Sequence, residues 1–136
     1  MTPNSFSFNP VSVEKIGDML KVHNSSKATG PDNISARFLK DAADLIAPFI
    51  AHIINLSLEQ GTVPDGMKHS KVIPLFKKGD RSDPDNYRTV SILSVVSKVL
   101  EKVVHEQLYQ YAVDAKLLYE FQSGFRQSHS ADSCLL

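Results

Sequence analysis

Between Lys71 and Arg88 the chain stops reading as helix. The run Lys-Val-Ile-Pro-Leu-Phe-Lys-Lys-Gly-Asp-Arg-Ser-Asp-Pro-Asp-Asn-Tyr-Arg contains an apolar strand, a basic turn and the opening of a second strand. Lys71–Phe76 reads as the first strand, and Pro74 within it argues for an edge position, because proline donates nothing to a ladder. Asn86–Leu93 reads as its partner. The connection Lys77–Asp85 is long for a hairpin, and its Lys-Lys-Gly-Asp and Asp-Pro-Asp-Asn clusters predict mobility. Two strands cannot close a sheet. The expected fold is therefore α+β, mostly helical around one antiparallel β-hairpin.

The flanks support that reading. Ser12 is placed to cap a short helix carrying Val13, Ile16 and Leu20 at helical spacing. Gly30-Pro31-Asp32-Asn33 punctuates a loop from Asn24 to Ile34. Ser35 caps a short helix with Phe38 and Leu39. Asp44 caps a longer one, with Pro48 in its first turn, where a lost N–H costs little. Phe49, Ile50, Ile53, Ile54, Leu56 and Leu58 cover more than one face of that helix, so it is expected at the centre of the core. Gly61 closes it. Val63-Pro64-Asp65-Gly66 is a turn leading into a single helical turn through Met67. Ser94 or Ser97 opens the next helix, in which Val95, Val96, Val99, Leu100, Val103, Val104, Leu108 and Tyr111 keep helical spacing. Leu117–Phe121 is a connector with bulky apolar residues to anchor, Gln122–Ser128 a glycine-centred loop, and Ser130 the cap of a last helix. Residues 1–10 read as a loose lead-in, and 11–136 as one domain.

Composition narrows the function classes. The 136 residues carry 15 basic and 15 acidic side chains, so the chain lacks the broad positive field of an autonomous DNA-binding protein. The charge is uneven, however: residues 61–88 hold six bases and four acids, with Lys68, Lys71, Lys77 and Lys78 uninterrupted by an acid. Cys134 is the only cysteine, which excludes an intrachain disulfide and a cysteine-based zinc site. The five histidines show no ligand-like spacing. No apolar run is long enough to span a membrane and residues 1–10 do not resemble a signal peptide, so an intracellular setting and no membrane partner are expected.

Taken alone, Lys77-Lys78-Gly79-Asp80-Arg81 is most simply a solvated hairpin tip. The functional reading needs cations converging on phosphate: Arg88 as a bidentate fork and Lys77 as a point charge. Gln122, Gly124 and Arg126 allow a loop that caps itself or one that contacts a phosphate backbone.

Four motifs occur in one order: Lys27-Ala28-Thr29-Gly30-Pro31-Asp32; Lys71–Arg88; Ser91-Ile92-Leu93-Ser94 with Ser97-Lys98-Val99-Leu100-Glu101; and Gln122-Ser123-Gly124-Phe125-Arg126. That series, covering roughly residues 11–136, closely resembles the N-terminal part of the reverse transcriptases of non-LTR (LINE-type) retrotransposons. The resemblance implies the fingers subdomain and palm entry of a right-hand polymerase, acting in RNA-templated DNA synthesis. It implies that Arg88 and Lys77, with Lys71 as a further partner, face the incoming triphosphate. Lys78, Arg81, Arg126 and Gln122 would lie toward the nucleic-acid backbone. RNA template, DNA primer and dNTP are the implied partners, and Mg2+ the metal of the full-length family.

The chain also departs from that pattern. Thr89-Val90 stands where the family has Pro-Ile, Met67 where it commonly has an aromatic, and Ser130-Ala131 where it has Ser-Thr. No two acidic residues are adjacent, and the metal-binding aspartates of the family fall outside the matched motifs. The expectation is a truncated polymerase segment with no catalytic or metal-binding residues of its own, needing no cofactor and inactive alone. A small non-catalytic nucleic-acid-binding module, or a helical interaction module with a solvated hairpin, is the alternative. A fingers segment without its palm is further expected to leave apolar surface uncovered at Leu117–Phe121 and Cys134–Leu136, and so to self-associate.

Overall fold

The computed structural model describes residues 5–24, 28–119, 121, 122, 124 and 126. Five helices and one hairpin follow in the order α1 (Val13–Val22), α2 (Ala36–Asp41), α3 (Ala43–Gln60), α4 (Asp65–Lys68), β1 (Ser70–Phe76), β2 (Tyr87–Leu93) and α5 (Val95–Asp114), with a 3-10 turn at Pro84–Asn86. The mixed α+β class is as expected.

Local chemistry explains most boundaries. Ser12, Ser35 and Ser94 are N-caps, each hydroxyl accepting the backbone N–H three residues on, so each satisfies a donor that the first helical turn leaves orphaned. Gly61 ends α3 at φ 63°, the left-handed backbone for which glycine carries no steric cost. One start is corrected. α3 begins at Ala43 behind Ala42 and has no side-chain cap. Asp44 therefore lies inside the first turn, and its carboxylate accepts from Lys21 of α1. Pro48 consequently lies inside the helix rather than in its first turn, where it cannot donate to the Asp44 carbonyl.

The core is built by three helix faces and one helix end. Ile16, Met19 and Leu20 of α1 meet Ala36 and Leu39 of α2, Ala43, Ala47, Ile50, Ala51 and Ile54 of α3, and Val95, Val99, Leu100 and Val103 of α5. Small residues let α1 and α3 approach closely: a Cβ at Gly17 would lie 3.7 Å from that of Ala47. The expectation that α3 is enclosed on more than one face is corrected. Ile50 and Ile54 are buried, but Phe49 is 69% and Leu45 75% exposed, and Ile53 and Leu56 are exposed too. No element among the described residues covers that side. Leu117, Tyr119 and Phe121 of the connector are likewise exposed, not anchored; the helix expected from Ser130 and the Cys134–Leu136 end lie outside the described residues.

Ahead of α1, residues 5–12 form no regular element and are tied to the helices at two points by side-chain amides. Asn55 of α3 accepts from the Val11 N–H at 2.7 Å and donates to its carbonyl at 2.9 Å. Gln107 of α5 repeats this reciprocal pairing on Asn9, at 2.8 and 2.9 Å. Phe6 packs on Tyr111 with ring centroids 5.1 Å apart.

The hairpin is the exception to core packing. β1 and β2 pair antiparallel from Ser70↔Leu93 to Phe76↔Tyr87, forming a two-stranded sheet exposed over most of both faces. No described helix is long and apolar enough to cross a membrane.

Candidate phosphate-facing hairpin

The pairing register sorts the basic side chains. Arg88 is directly opposite Leu75, and the Lys77 N–H donates to the Asn86 carbonyl at 2.8 Å, which extends the ladder one step past β1. Because side chains alternate across a strand, residues 71, 73, 75 and 77 share one face with residues 88, 90 and 92. Lys71, Lys77 and Arg88 therefore stand on the same face. Lys77 lies two residues, roughly 7 Å, from the Leu75–Arg88 pair, a diagonal neighbour of Arg88. Lys71 is four residues away on the other side, roughly 13 Å along the strand. The structure brings Lys77 and Arg88 together and leaves Lys71 apart.

Charge on that face is uncompensated. Among the described residues, no ion pair involves Lys71, Lys77, Lys78 or Arg88, and all four are exposed. Two acids of the tip, Asp80 and Asp83, turn inward on their own loop. Asp80 accepts the Ser82 N–H at 2.9 Å and its hydroxyl at 2.8 Å, and those bonds hold its carboxyl below the ordinary value of 3.8. Asp83 accepts the Asp85 N–H at 3.0 Å as the cap of the 3-10 turn. The apolar floor between the cations consists of Ile73, Leu75, Val90 and Ile92, of which Leu75 and Val90 are exposed.

The opposite face has a different character. Phe76 and Tyr87 pack edge to face at 5.5 Å. The Arg81 guanidinium lies 5.1 Å from the Phe76 ring centroid, and the Tyr87 hydroxyl donates to the Arg81 carbonyl at 2.9 Å. Arg81 thus stacks across the hairpin from Arg88 and Lys77. Lys78 follows Lys77 at the exposed tip. Gln122 donates to the Gly124 carbonyl at 3.1 Å, and Arg126 to the Tyr119 carbonyl at 3.4 Å.

Residues that shape the tip lacked an obvious sequence signal. The connection is a hydrogen-bonded turn: Asn86 donates to the Asp80 carbonyl at 2.9 Å, and Gly79 at φ 92° lies against the Asn86 amide. The Asp83-Pro84-Asp85 series is a recognisable start of a capped turn, but Asn86 acts across six residues and no local pattern marks it. Among the described residues, no group of three or more His, Cys, Asp or Glu converges as a metal site. Two of the tip acids, Asp80 and Asp83, already accept bonds from their own turn.

No protein-family model matches the chain. Its relatives are informative. The chain is 30% identical over 127 residues to the probable RNA-directed DNA polymerase from transposon BS of Drosophila melanogaster, matching 93% of its own length and 14% of that protein's. It is 29% identical over 126 residues to the RNA-directed DNA polymerase from mobile element jockey of the same species. It is 25% identical over 119 residues to the Pol polyprotein of the type-1 retrotransposable element R1 of Bradysia coprophila. The matches extend over the helical core and the whole hairpin, in proteins about seven times longer. The relatives of this chain are thus RNA-directed DNA polymerases of non-LTR retrotransposons, and the chain spans about one-seventh of the length of those it matches.

Proposed function

We propose that the hairpin Ser70–Leu93 is a triphosphate-facing element of an RNA-directed DNA polymerase of the fingers type, with Arg88 and Lys77 as its phosphate ligands. The observation that carries this reading is their adjacency on one exposed face with, among the described residues, no carboxylate paired to either. A guanidinium fork beside a lysine ammonium suits an incoming polyphosphate: the fork binds two oxygens in a fixed plane, and the ammonium adds a point charge. Leu75 and Val90 supply the apolar support on which a base or ribose can lie. Lys71, at the far end of that face, and Lys78, at the exposed tip, are placed for a longer strand of template or primer rather than the same triphosphate.

These 136 residues alone do not polymerise in this reading, because two catalytic metals need convergent carboxylates. Their role is to bind and orient. Inorganic tripolyphosphate titrated into the chain, followed by amide shifts, should perturb Lys77, Arg88 and their neighbours. Arg88→Ala and Lys77→Ala should each weaken that binding. Arg88→Lys should not restore it, since the bidentate fork is lost. Equal binding by all three variants would refute the assignment. A non-catalytic RNA-binding module is the second reading, favoured by the exposed Lys71 and Lys78 beyond the Arg88–Lys77 pair. It requires salt-dependent RNA binding that weakens in the same variants.

A further inference from the structure

Two sequence motifs, Thr29-Gly30-Pro31-Asp32 and Ser94 with Ser97, have no part in the phosphate face, yet they meet at the base of the hairpin. Gly30 is buried against backbone. A Cβ there would lie 2.6 Å from the Ser94 Cα, 2.7 Å from its nitrogen and 2.9 Å from the Leu93 carbonyl carbon. No side chain is present to swing aside, so only glycine permits this approach. The contact falls at the point where β2 leaves the sheet and α5 begins.

The other strand is tied to the same helix end. Ser94 and Ser97 are buried, 5% and 3% exposed. The Ser97 N–H donates to the Ser94 Oγ at 3.1 Å, the two hydroxyl oxygens are 2.7 Å apart, and the Ser97 Oγ donates to the Met67 carbonyl at 3.0 Å. Each hydroxyl has one proton. With the Ser97 proton given to Met67, the bond between the hydroxyls must use the proton of Ser94. The chain of donors therefore runs one way, from the Ser97 N–H through Ser94 and Ser97 to α4. Met67 precedes the first residue of β1 by three positions. The β1 root is thus tied by hydrogen bonds to the first turn of α5, and the β2 root, which runs directly into α5, is packed against Gly30 of the loop before α2.

We infer that Gly30, Ser94 and Ser97 are positioning residues that set the angle of the Lys77–Arg88 hairpin on the helical core. What that angle serves rests on the phosphate reading above; the mount itself does not. Elsewhere the hairpin is exposed on both faces, so its direction is governed by its roots. An added methyl at Gly30 must open the contact by at least about 0.8 Å, from 2.6 Å to the 3.4 Å at which ordinary contact begins. Ser94 and Ser97 are one helical turn apart, roughly 5–6 Å, whereas the seven residues of β2 extend roughly 23 Å. That lever ratio of about four turns the opening into a tip displacement of roughly 3 Å.

The test measures the distance from tip to core by pulsed electron resonance. It uses the full chain with Cys134→Ser and spin labels at Asp85→Cys and His52→Cys. Gly30→Ala should move or broaden the distance distribution by about 3 Å while helical circular dichroism is kept. Gly66→Ala, where a Cβ meets nothing within 4 Å, should leave it unchanged. Ser97→Ala, which adds no bulk, should broaden the distribution, and Ser97→Thr, which keeps the hydroxyl, should restore it. Should Gly30→Ala not fold, the serine pair decides. A folded Ser97→Ala with the parent distribution overturns the inference, as does a folded Gly30→Ala with no change. Since no phosphate is present, this result and that of tripolyphosphate binding can fail separately.

Discussion

Replacing Gly79 with alanine should unfasten the end of the hairpin and free Lys77 from its ladder. The backbone at Gly79 has φ 92°, and a Cβ there would meet the Asn86 amide, 2.7 Å from Nδ2 and 2.8 Å from Oδ1. Two losses follow. Holding an L-residue with a side chain in the left-handed region costs about 1–2 kcal/mol. Pushing the Asn86 amide aside breaks its bond to the Asp80 carbonyl, a net loss of about 0.5–1.5 kcal/mol. Together they come to about 1.5–3.5 kcal/mol, confined to the tip because the hairpin shares little packing with the core. The Lys77 amide, which donates to Asn86, reports on this opening directly. Its hydrogen exchange should accelerate roughly 10- to 400-fold, or reach the unprotected limit if the hairpin holds less free energy than that. The amide of Val103, in a fully buried position of α5, should not change. Lys77 exchange within threefold of the parent would refute this account of the turn.

Three further outcomes follow from other parts of the molecule. Asn55→Ala removes both bonds to Val11 and leaves partly buried backbone groups unpaired; urea unfolding should show a loss of about 2 kcal/mol with an unchanged slope, and Gln107→Ala, at an exposed pair, a smaller one. The Asp80 carboxyl is depressed by the Ser82 N–H first and its hydroxyl second; a depressed acid contributes order above its unfolded value and loses it as pH falls through the folded one. The Ser82 amide signal should therefore titrate with a midpoint below 3.8, and Ser82→Ala should move that midpoint of Asp80 upward toward it. Phe49→Ser changes an exposed apolar side chain, so it should leave stability within about 0.5 kcal/mol while reducing binding of a hydrophobic dye.

How far the fold was legible depended on the range of the interaction. Ser12, Ser35, Gly61 and the turn through Asp65 act within three or four residues, and their pattern was sufficient. Asp44 does not cap, since α3 starts ahead of it at Ala43, a residue buried in the core and marked by no side-chain cap. The outer face of α3 was misjudged for a related reason: Phe49 and Leu45 have the composition of core residues, but hydrophobicity does not specify what covers them. The site divides in the same way. Arg88 and Lys77 were legible from their strand positions and from the order of the surrounding motifs. That Lys71 stands apart and Arg81 lies across the sheet needed the register, since a shift of one residue exchanges the faces.

The sequence alone determined that a two-stranded basic hairpin interrupts a helical chain, and that its motifs resemble those of retrotransposon reverse transcriptases. Those properties reside in period, caps and residue order, all local along the chain. Only the tertiary structure decided which cations share a face, which residues hold the strand roots, and that residues 5–12 are clamped by Asn55 and Gln107. Each of these joins atoms distant in sequence, such as Gly30 with Ser94 or Met67 with Ser97, and such distances are fixed by packing rather than by any local preference.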